Sequence, residues 1–138
     1  MNDNSLLREL NKMTKGTLME SLGIIFTKVE LNCICAEMPA DSRTMQPFGI
    51  VHGGAYMALA ETLGSAGSMI NTDLNLKQVV GLEMKGNYIR SIRSGLVHGK
   101  ATPIHQGKRT HLWNIDITDD LGNLAATCRI TNIILDKE

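Results

Sequence analysis

The chain has 138 residues, which is enough for one domain with a hydrophobic core, and we expect a single domain over residues 1–138. Lysine and arginine total 14, as do aspartate and glutamate, so no net charge favours nucleic acid or an anionic membrane surface. One Trp, two Tyr and two Phe are too few for a platform that stacks single-stranded nucleic acid.

The N-terminus lacks the basic start and apolar run of a signal peptide, which favours a cytoplasmic protein. Three cysteines, Cys33, Cys35 and Cys128, fit a reduced compartment better than a disulfide framework. Cys33 and Cys35 lie on a predicted strand with no second pair of ligands, so we interpret them as structural thiols. We expect no metal site.

The first half of the chain predicts one helix and two strands. Leucines 6, 7 and 10 predict a short amphipathic helix over residues 5–13. From Gly23 the pattern favours β-structure, with a strand over residues 24–29, a turn near 31–32, and a second strand over 33–38. Residues 45–54 form a loop rich in turn formers.

The second half predicts one long helix, from Gly54 to about Asn71, followed by four strands. Turn signals separate β-rich segments that cover residues 78–91, 95–104, 109–118 and 124–135. An antiparallel meander needs a cover over its apolar face, and the long helix is the only large candidate. The predicted fold class is α+β.

The long helix contains a single charged side chain, Glu61, within residues 53–72. Apolar or small residues on every face predict a helix that is buried nearly all round. The glutamate, four glycines and several hydroxyls argue against a membrane span. A buried carboxylate is costly unless it is paired or used. Glu61 is therefore paired with a sheet arginine, lies at an exposed bend, or acts as a catalytic base with Ser65 on the same face.

The start of this helix, His52-Gly53-Gly54, offers the complementary chemistry. Backbone N–H groups in the first turn lack helical partners and can bind a developing oxyanion. Gly53 and Glu61 are eight residues apart, or about 12 Å along the axis, so one straight helix cannot bring both to one carbonyl. Two copies packed antiparallel about a two-fold axis could do so, which predicts an active site shared between subunits.

Motifs along most of the chain, from about residue 15, resemble the hotdog thioesterases. They are Asp41–Thr44, Gln46–Gly49, His52–Gly54, Ala60–Glu61, Val80–Glu83, Asn87–Ser91 and His105–Arg109. More specifically, they resemble the 4-hydroxybenzoyl-CoA and 1,4-dihydroxy-2-naphthoyl-CoA thioesterase branch, the phenylacetate-degradation type.

The resemblance implies a long helix wrapped by a curved antiparallel sheet, in a homodimer or homotetramer with active sites at the dimer interface. It implies hydrolysis of acyl-CoA thioesters with aromatic or medium-chain acyl groups, without a metal or redox cofactor. Glu61 would be nucleophile or general base, and the Gly53 N–H of the other subunit would polarise the carbonyl. Gln46 and His52 would position the thioester, and Ser65 would support the attack. The CoA-binding residues would be Gly81, Tyr88, Ile89, Arg90, Ser91, His105, Gly107, Lys108, Arg109 and Thr110.

The charges agree with this expectation, because Arg90, Arg93, Lys108 and Arg109 lie at predicted strand ends, where they can meet CoA phosphates. One departure is Tyr88, where some relatives have His. The hydroxyl remains, but reach and protonation change, and the acyl preference stays open.

Three other functions deserve comparison. Hotdog dehydratases and hydratases have a Pro-rich segment before the histidine, whereas Pro47 is the only proline near His52. A non-enzymatic acyl-CoA-binding regulator would normally carry a DNA-binding segment, and residues 1–22 are too short for a helix-turn-helix module. A proofreading thioesterase for carrier-protein thioesters would perform the same hydrolysis with another partner, and we rank it below CoA.

Overall fold

The structure, a computed structural model that describes residues 3–138, contains three helices and six strands. The elements are α1 (Asp3–Met13), α2 (Leu18–Leu22), β1 (Ile25–Glu30), β2 (Cys33–Pro39), α3 (Gly53–Ile70), β3 (Lys77–Tyr88), β4 (Leu96–Gln106), β5 (Thr110–Thr118) and β6 (Leu124–Asp136). The predicted order of a helix, two strands, a long helix and four strands is confirmed. α2 was not predicted, because five residues are too few for a helical pattern to stand out.

All six strands form one open antiparallel sheet in the order β1-β2-β4-β5-β6-β3. In the central strand β5, alternate residues such as Trp113, Ile115 and Ile117 are fully buried, as expected when one face of a sheet meets the core. β3 lies at an edge of the sheet, and its Val80 and Leu82 side chains are exposed. An edge strand with exposed apolar side chains is a natural place for another strand to pair.

α3 packs across the inner face of the sheet, and two glycines allow the close approach. A Cβ atom on Gly67 would lie 2.7 Å from the Trp113 ring, and one on Gly64 would overlap Ile130. The absence of side chains at these positions therefore sets the distance between helix and sheet.

The prediction that α3 is buried nearly all round is wrong for the single chain. Leu59 and Leu63, which face the sheet, are fully buried, whereas Glu61 on the outer face is exposed and Ser65 is half-buried. A helix on one sheet buries only the stripe that faces that sheet, and α1 and α2 cover part of the rest. Glu61 forms no ion pair within residues 3–138. No helix in that range is long and apolar enough to cross a lipid bilayer.

Ser68 joins α3 to the sheet through a fully buried polar cluster. Its hydroxyl oxygen accepts from Nε1 of Trp113 at 3.0 Å and from Nδ2 of Asn132 at 2.9 Å, and it lies 3.0 Å from Nδ1 of His111. A hydroxyl accepts two hydrogen bonds and donates one, so the Ser68 proton goes to Nδ1 of His111. Burial lowers the pKa of His111, which keeps the ring neutral and suited to accept.

We expect Ser68→Ala to lower the free energy of unfolding by about 3 kcal/mol, because three buried polar groups lose their partner at once. Urea denaturation followed by Trp113 fluorescence would measure the change. Ser65→Ala, one turn earlier and outside the cluster, is the matched control and should change stability by less than about 1 kcal/mol. Equal losses in the two variants would mean that the cluster contributes nothing beyond an ordinary helix serine.

Candidate active site

Glu61 lines a cavity of about 350 Å³ between the outer face of α3 and the N-terminal helices. Ser65 lines the same cavity one turn further along, as the i+4 spacing predicted. The other lining residues, mostly apolar, are Leu10, Met13, Leu18, Met19, Phe26, Ala58, Thr62, Ala66 and Met69. An exposed carboxylate thus meets an apolar cavity, an arrangement that can hold an apolar group beside a base.

β3 approaches Glu61 at Gly81. A Cβ atom on Gly81 would lie 3.0 Å from Oε1 of Glu61 and 3.9 Å from Oδ1 of Asn132. Gly81 was expected to contact CoA, and the structure places it beside the candidate catalytic carboxylate. Any larger residue there would press on Glu61, so glycine leaves room for the carboxylate. Oδ1 of Asn132 is buried and has no hydrogen-bond partner within residues 3–138.

His52 caps the start of α3 with its side chain. Nδ1 accepts a hydrogen bond from the backbone N–H of Gly54 at 2.7 Å. A neutral histidine with an accepting Nδ1 carries its proton on Nε2, so the exposed ring offers an N–H donor to a ligand. Gly53 is the first residue of α3, and its N–H has no partner within the helix. His52 and Gly53 therefore each offer an N–H donor at the positive end of the helix dipole.

Tyr88, the last residue of β3, lies over Gly53. Its hydroxyl donates to the carbonyl oxygen of Gly53 at 3.2 Å, and a Cβ atom on Gly53 would lie 2.9 Å from the Tyr88 ring. The Tyr56 ring centroid is 6.1 Å from that of Tyr88, and its hydroxyl donates to the carbonyl oxygen of Arg90 at 3.3 Å. Burial raises the pKa of Tyr56, so this hydroxyl stays protonated at neutral pH. These contacts tie the end of β3 to the start of α3.

A second cavity, of about 360 Å³, opens at this end of the subunit. Its lining includes six of the predicted site residues, namely Gln46, Gly53, Tyr88, Ile89, Arg90 and Ser91. Oε1 of Gln46 accepts from the N–H of Phe48, which orders the loop that precedes α3. His52 lines a neighbouring hollow together with Gly54 and Arg43. The structure thus brings the predicted oxyanion donors and one group of predicted CoA contacts together.

The hairpin between β4 and β5 carries the remaining predicted CoA contacts. It is closed by the N–H of Gly107, which donates to the carbonyl oxygen of Thr110 at 2.9 Å, and His105 is exposed beside it. Lys108 and Arg109 are exposed and line a hollow with Lys77 and Asp136. Three cations against one carboxylate make this end of β3 suitable for anionic groups.

A single subunit does not assemble the predicted site. Glu61, Ser65 and Gly81 form one group, the start of α3 forms a second, and the β4–β5 hairpin forms a third. The cavities at Glu61 and at Gly53 share no lining residue in the part of the chain that the structure describes. The second and third groups lie at opposite ends of β3, whose 12 residues span about 36 Å.

The contribution of α1, α2 and β1 to the cavity at Glu61 was not predicted from the sequence. Leu10, Met13, Leu18, Met19 and Phe26 supply one wall of it. The leucines at 6, 7 and 10 predicted an amphipathic helix, but an apolar stripe does not specify which surface it covers.

Comparison with known proteins identifies the family. Residues 48–126 match the family model described as the thioesterase superfamily. The chain is 42% identical to the proofreading thioesterase EntH of Klebsiella pneumoniae, over 94% of this chain and 93% of that protein. It is 43% identical to the 1,4-dihydroxy-2-naphthoyl-CoA hydrolase of Escherichia coli, over 94% of each.

Similarity to solved structures agrees with the sequence match. A mutant thioesterase from Pseudomonas aeruginosa aligns with a TM-score of 0.93 at 40% identity, covering 95% of this chain and 94% of that one. A thioesterase from Haemophilus influenzae aligns with a TM-score of 0.90 at 39% identity, covering 94% and 90%. With its long helix on a six-stranded antiparallel sheet, the chain therefore belongs to the thioesterase superfamily, has the hotdog fold and is a thioester hydrolase.

Proposed function

We propose that the protein hydrolyses acyl-CoA thioesters at two equal sites, each built from both subunits of a homodimer, with Glu61 as the catalytic carboxylate. The observation that carries this proposal is the position of the two half-sites on the edge strand β3. Glu61 lies beside Gly81, and Gly53 lies beside Tyr88, seven residues further along the same strand. One copy of β3 therefore carries each half of the chemistry at a different position.

Antiparallel pairing of β3 with a second copy would join the two halves. If the two-fold axis passes between Met84 and Lys85, Gly81 lies opposite Tyr88 of the partner subunit, because paired positions then sum to a constant. Glu61 of each subunit would then face Gly53 of the partner subunit, so each dimer would contain two equivalent sites. The exposed Val80 and Leu82 side chains support this surface as the place where the edge is covered.

The proposed reaction uses water as the second reactant. The N–H of Gly53 and Nε2–H of His52 hold the thioester carbonyl oxygen, where negative charge develops, and Gln46 lies in the loop next to them. Glu61 either removes a proton from a water that attacks the carbonyl carbon, or attacks that carbon itself, and Ser65 lies one turn away to orient the water. In the first route the carbon–sulfur bond breaks to give the free acid, and the proton held by Glu61 passes to the CoA thiolate. In the second route the carbon–sulfur bond breaks to give the CoA thiolate and an acyl anhydride of Glu61, and water then hydrolyses the anhydride, which releases the free acid, restores the Glu61 carboxylate and supplies the proton that the thiolate takes.

The same dimer would assemble a CoA site from both ends of β3. Antiparallel pairing brings the Lys77 end of one strand near the Tyr88 end of the other, so Lys108 and Arg109 would approach Arg90 of the partner subunit. Guanidinium and ammonium groups are the usual partners of phosphates. Ser91, His105, Gly107 and Thr110 lie within the same two segments as further candidates.

The proposed chemistry needs only side chains, backbone N–H groups and water, so we expect activity without a metal or redox cofactor. We also propose a cytoplasmic location, which the three free thiols support. The proposal requires the homodimer, and pairing of two dimers into a homotetramer through other surfaces would leave both sites unchanged.

A second candidate substrate is an acyl group on a carrier protein. The similarity to the proofreading thioesterase EntH favours it, at an identity almost equal to that with the naphthoyl-CoA hydrolase. The acyl carbonyl and the thiol would be the same, and only the group beyond the thiol would differ.

The test is thiol release from a panel of acyl-CoA esters and the matching acyl-carrier-protein thioesters. We expect kcat/KM of at least about 10⁴ M⁻¹s⁻¹ for the preferred CoA ester, with free acid and CoA formed in equal amounts. Hydrolysis confined to the carrier-protein thioesters would replace CoA by the second candidate. No hydrolysis of either series would contradict the proposed function.

A further inference from the structure

The cavity beside Glu61 has walls of contrasting chemistry. Its polar side chains, Glu61, Thr62 and Ser65, all come from α3. The opposite wall, built by α1, α2 and β1, is formed by Leu10, Met13, Leu18, Met19 and Phe26. A ligand group that extends from Glu61 toward the N-terminal helices therefore meets only apolar side chains.

We propose that this cavity is the acyl pocket and that it selects an unsubstituted medium-length alkyl chain over a hydroxylated aromatic acyl group. The inference rests on the proposed function, because the reacting carbonyl must lie at Glu61. It goes beyond the proposed function because it names the class of acyl group. Similarity to a 1,4-dihydroxy-2-naphthoyl-CoA hydrolase does not by itself decide that class.

A ring hydroxyl would find no partner on the far wall. Thr62 lies on the near wall, and its hydroxyl proton is already donated to the carbonyl oxygen of Ala58 at 2.7 Å, so Thr62 has no proton to donate to a ligand. Asn11, the polar residue of α1 next to Leu10, has both amide atoms engaged with the backbone of Phe26, at 3.0 and 2.8 Å. A buried hydroxyl without a partner weakens binding by roughly ten- to a hundredfold. The pocket therefore disfavours each added hydroxyl.

The volume of the cavity and the chemistry of its walls favour a flexible acyl chain. A methylene group occupies about as much space as a water molecule, whose share of liquid volume is ~30 Å³, so a cavity of about 350 Å³ holds a chain of roughly ten carbons. Met13, Met19 and Met69 line it, and methionine side chains adapt to irregular apolar partners. Such walls suit chains of graded length better than one rigid ring.

The experiment measures kcat/KM for saturated acyl-CoA esters from four to sixteen carbons, and for benzoyl-CoA against 4-hydroxybenzoyl-CoA. We expect a rise of roughly fourfold per methylene up to about ten carbons, followed by a decline. We expect benzoyl-CoA to exceed 4-hydroxybenzoyl-CoA by at least roughly tenfold. Faster hydrolysis of the hydroxylated ester, or of 1,4-dihydroxy-2-naphthoyl-CoA than of any alkyl ester, would overturn the inference and leave the proposed function intact. Failure of the proposed function would instead appear as no hydrolysis of any ester.

Two variants test whether the acyl chain of the substrate occupies this cavity. Leu18→Trp, at a position that is 64% exposed and therefore tolerant, and Met69→Phe both add bulk to the wall of the cavity. Each should move the optimum to acyl chains about two to four carbons shorter, because each methylene occupies ~30 Å³. Leu31→Trp, at a leucine that is 58% exposed in the turn between β1 and β2 and outside the cavity, is the matched control and should keep the wild-type optimum. If Leu18→Trp leaves the optimum unchanged, or lowers kcat/KM equally at every length, the acyl chain lies elsewhere.

Discussion

Glu61→Gln is expected to lower kcat by roughly a thousandfold while the protein stays folded, since a positioned general base or nucleophile contributes about 10²–10⁴ in rate. The amide keeps the shape of the side chain but cannot take a proton from water or form the acyl bond. Glu61 is exposed and has no ion pair within residues 3–138, so its loss removes no structural contact of that kind. The measurement is kcat for the preferred acyl-CoA, with circular dichroism and thermal unfolding to check the fold.

Glu30→Gln is the matched control, because Glu30 is an exposed glutamate on β1 that is paired with Lys28 at 3.6 Å and does not line the cavity. It should retain wild-type kcat. Glu61→Ala should match Glu61→Gln, because the function lost is that of the carboxylate and not of its volume. If the two Glu61 variants keep activity within a fewfold of wild type, the carboxylate has a structural role and the proposed mechanism is wrong.

Gly53→Pro is expected to lower kcat by roughly 10²–10³-fold, the usual effect of removing one oxyanion donor. Proline suits the first position of a helix, where the missing N–H has no helical partner. The preceding residue must be extended, and His52 has φ −62° and ψ 134°. The variant therefore removes the N–H of Gly53 while the helix start keeps its conformation.

Gly53→Ala is the control for the added Cβ atom. Both variants press on the Tyr88 ring, which a Cβ atom would approach to 2.9 Å, but only proline lacks the N–H. The difference between the two variants therefore isolates the donor. Equal kcat values for Gly53→Pro and Gly53→Ala would show that the N–H of Gly53 does not take part.

Glu61→Gln and Gly53→Pro subunits, combined in one dimer, test whether the active site is shared between subunits. In a heterodimer of Glu61→Gln and Gly53→Pro subunits, one site would combine two wild-type halves and the other would combine both defects. Two affinity tags would isolate this species, which should regain about half of the wild-type activity per dimer. A heterodimer of Glu61→Gln and Glu61→Ala subunits should regain none. An inactive Glu61→Gln and Gly53→Pro heterodimer would place both groups in one subunit's site, against the geometry proposed for β3.

Most of the secondary structure could be predicted from local pattern. The strand over residues 33–38 appears as Cys33–Pro39 and the helix from Gly54 appears as Gly53–Ile70, because alternation, helical period and glycine turns are properties of short segments. α2 escaped detection for the same reason, since five residues carry too little pattern. Where the predicted and observed ends of an element differ, they differ by one to three residues, because helix and strand ends are not sharply defined.

The features of the candidate site were likewise predicted from local sequence only in part. A lone glutamate on an apolar helix and a His-Gly-Gly sequence at its start drew attention to Glu61, His52 and Gly53 because residue type and spacing carry that chemistry. The burial of α3 was predicted wrongly, since composition reports how apolar a helix is but not how many of its faces have a partner.

Local sequence was thus sufficient for the order of the elements, the α+β class and the residues able to perform thioester chemistry. Packing alone decided that Gly81 lies against Glu61, that Tyr88 lies over Gly53, and that methionines of α1 and α2 line the same cavity as Glu61. These contacts join residues 20 to 50 positions apart, and their partners are chosen by how the sheet and helices fit together. No short-range pattern contains that information, because the free energy of such contacts depends on the shape of both surfaces.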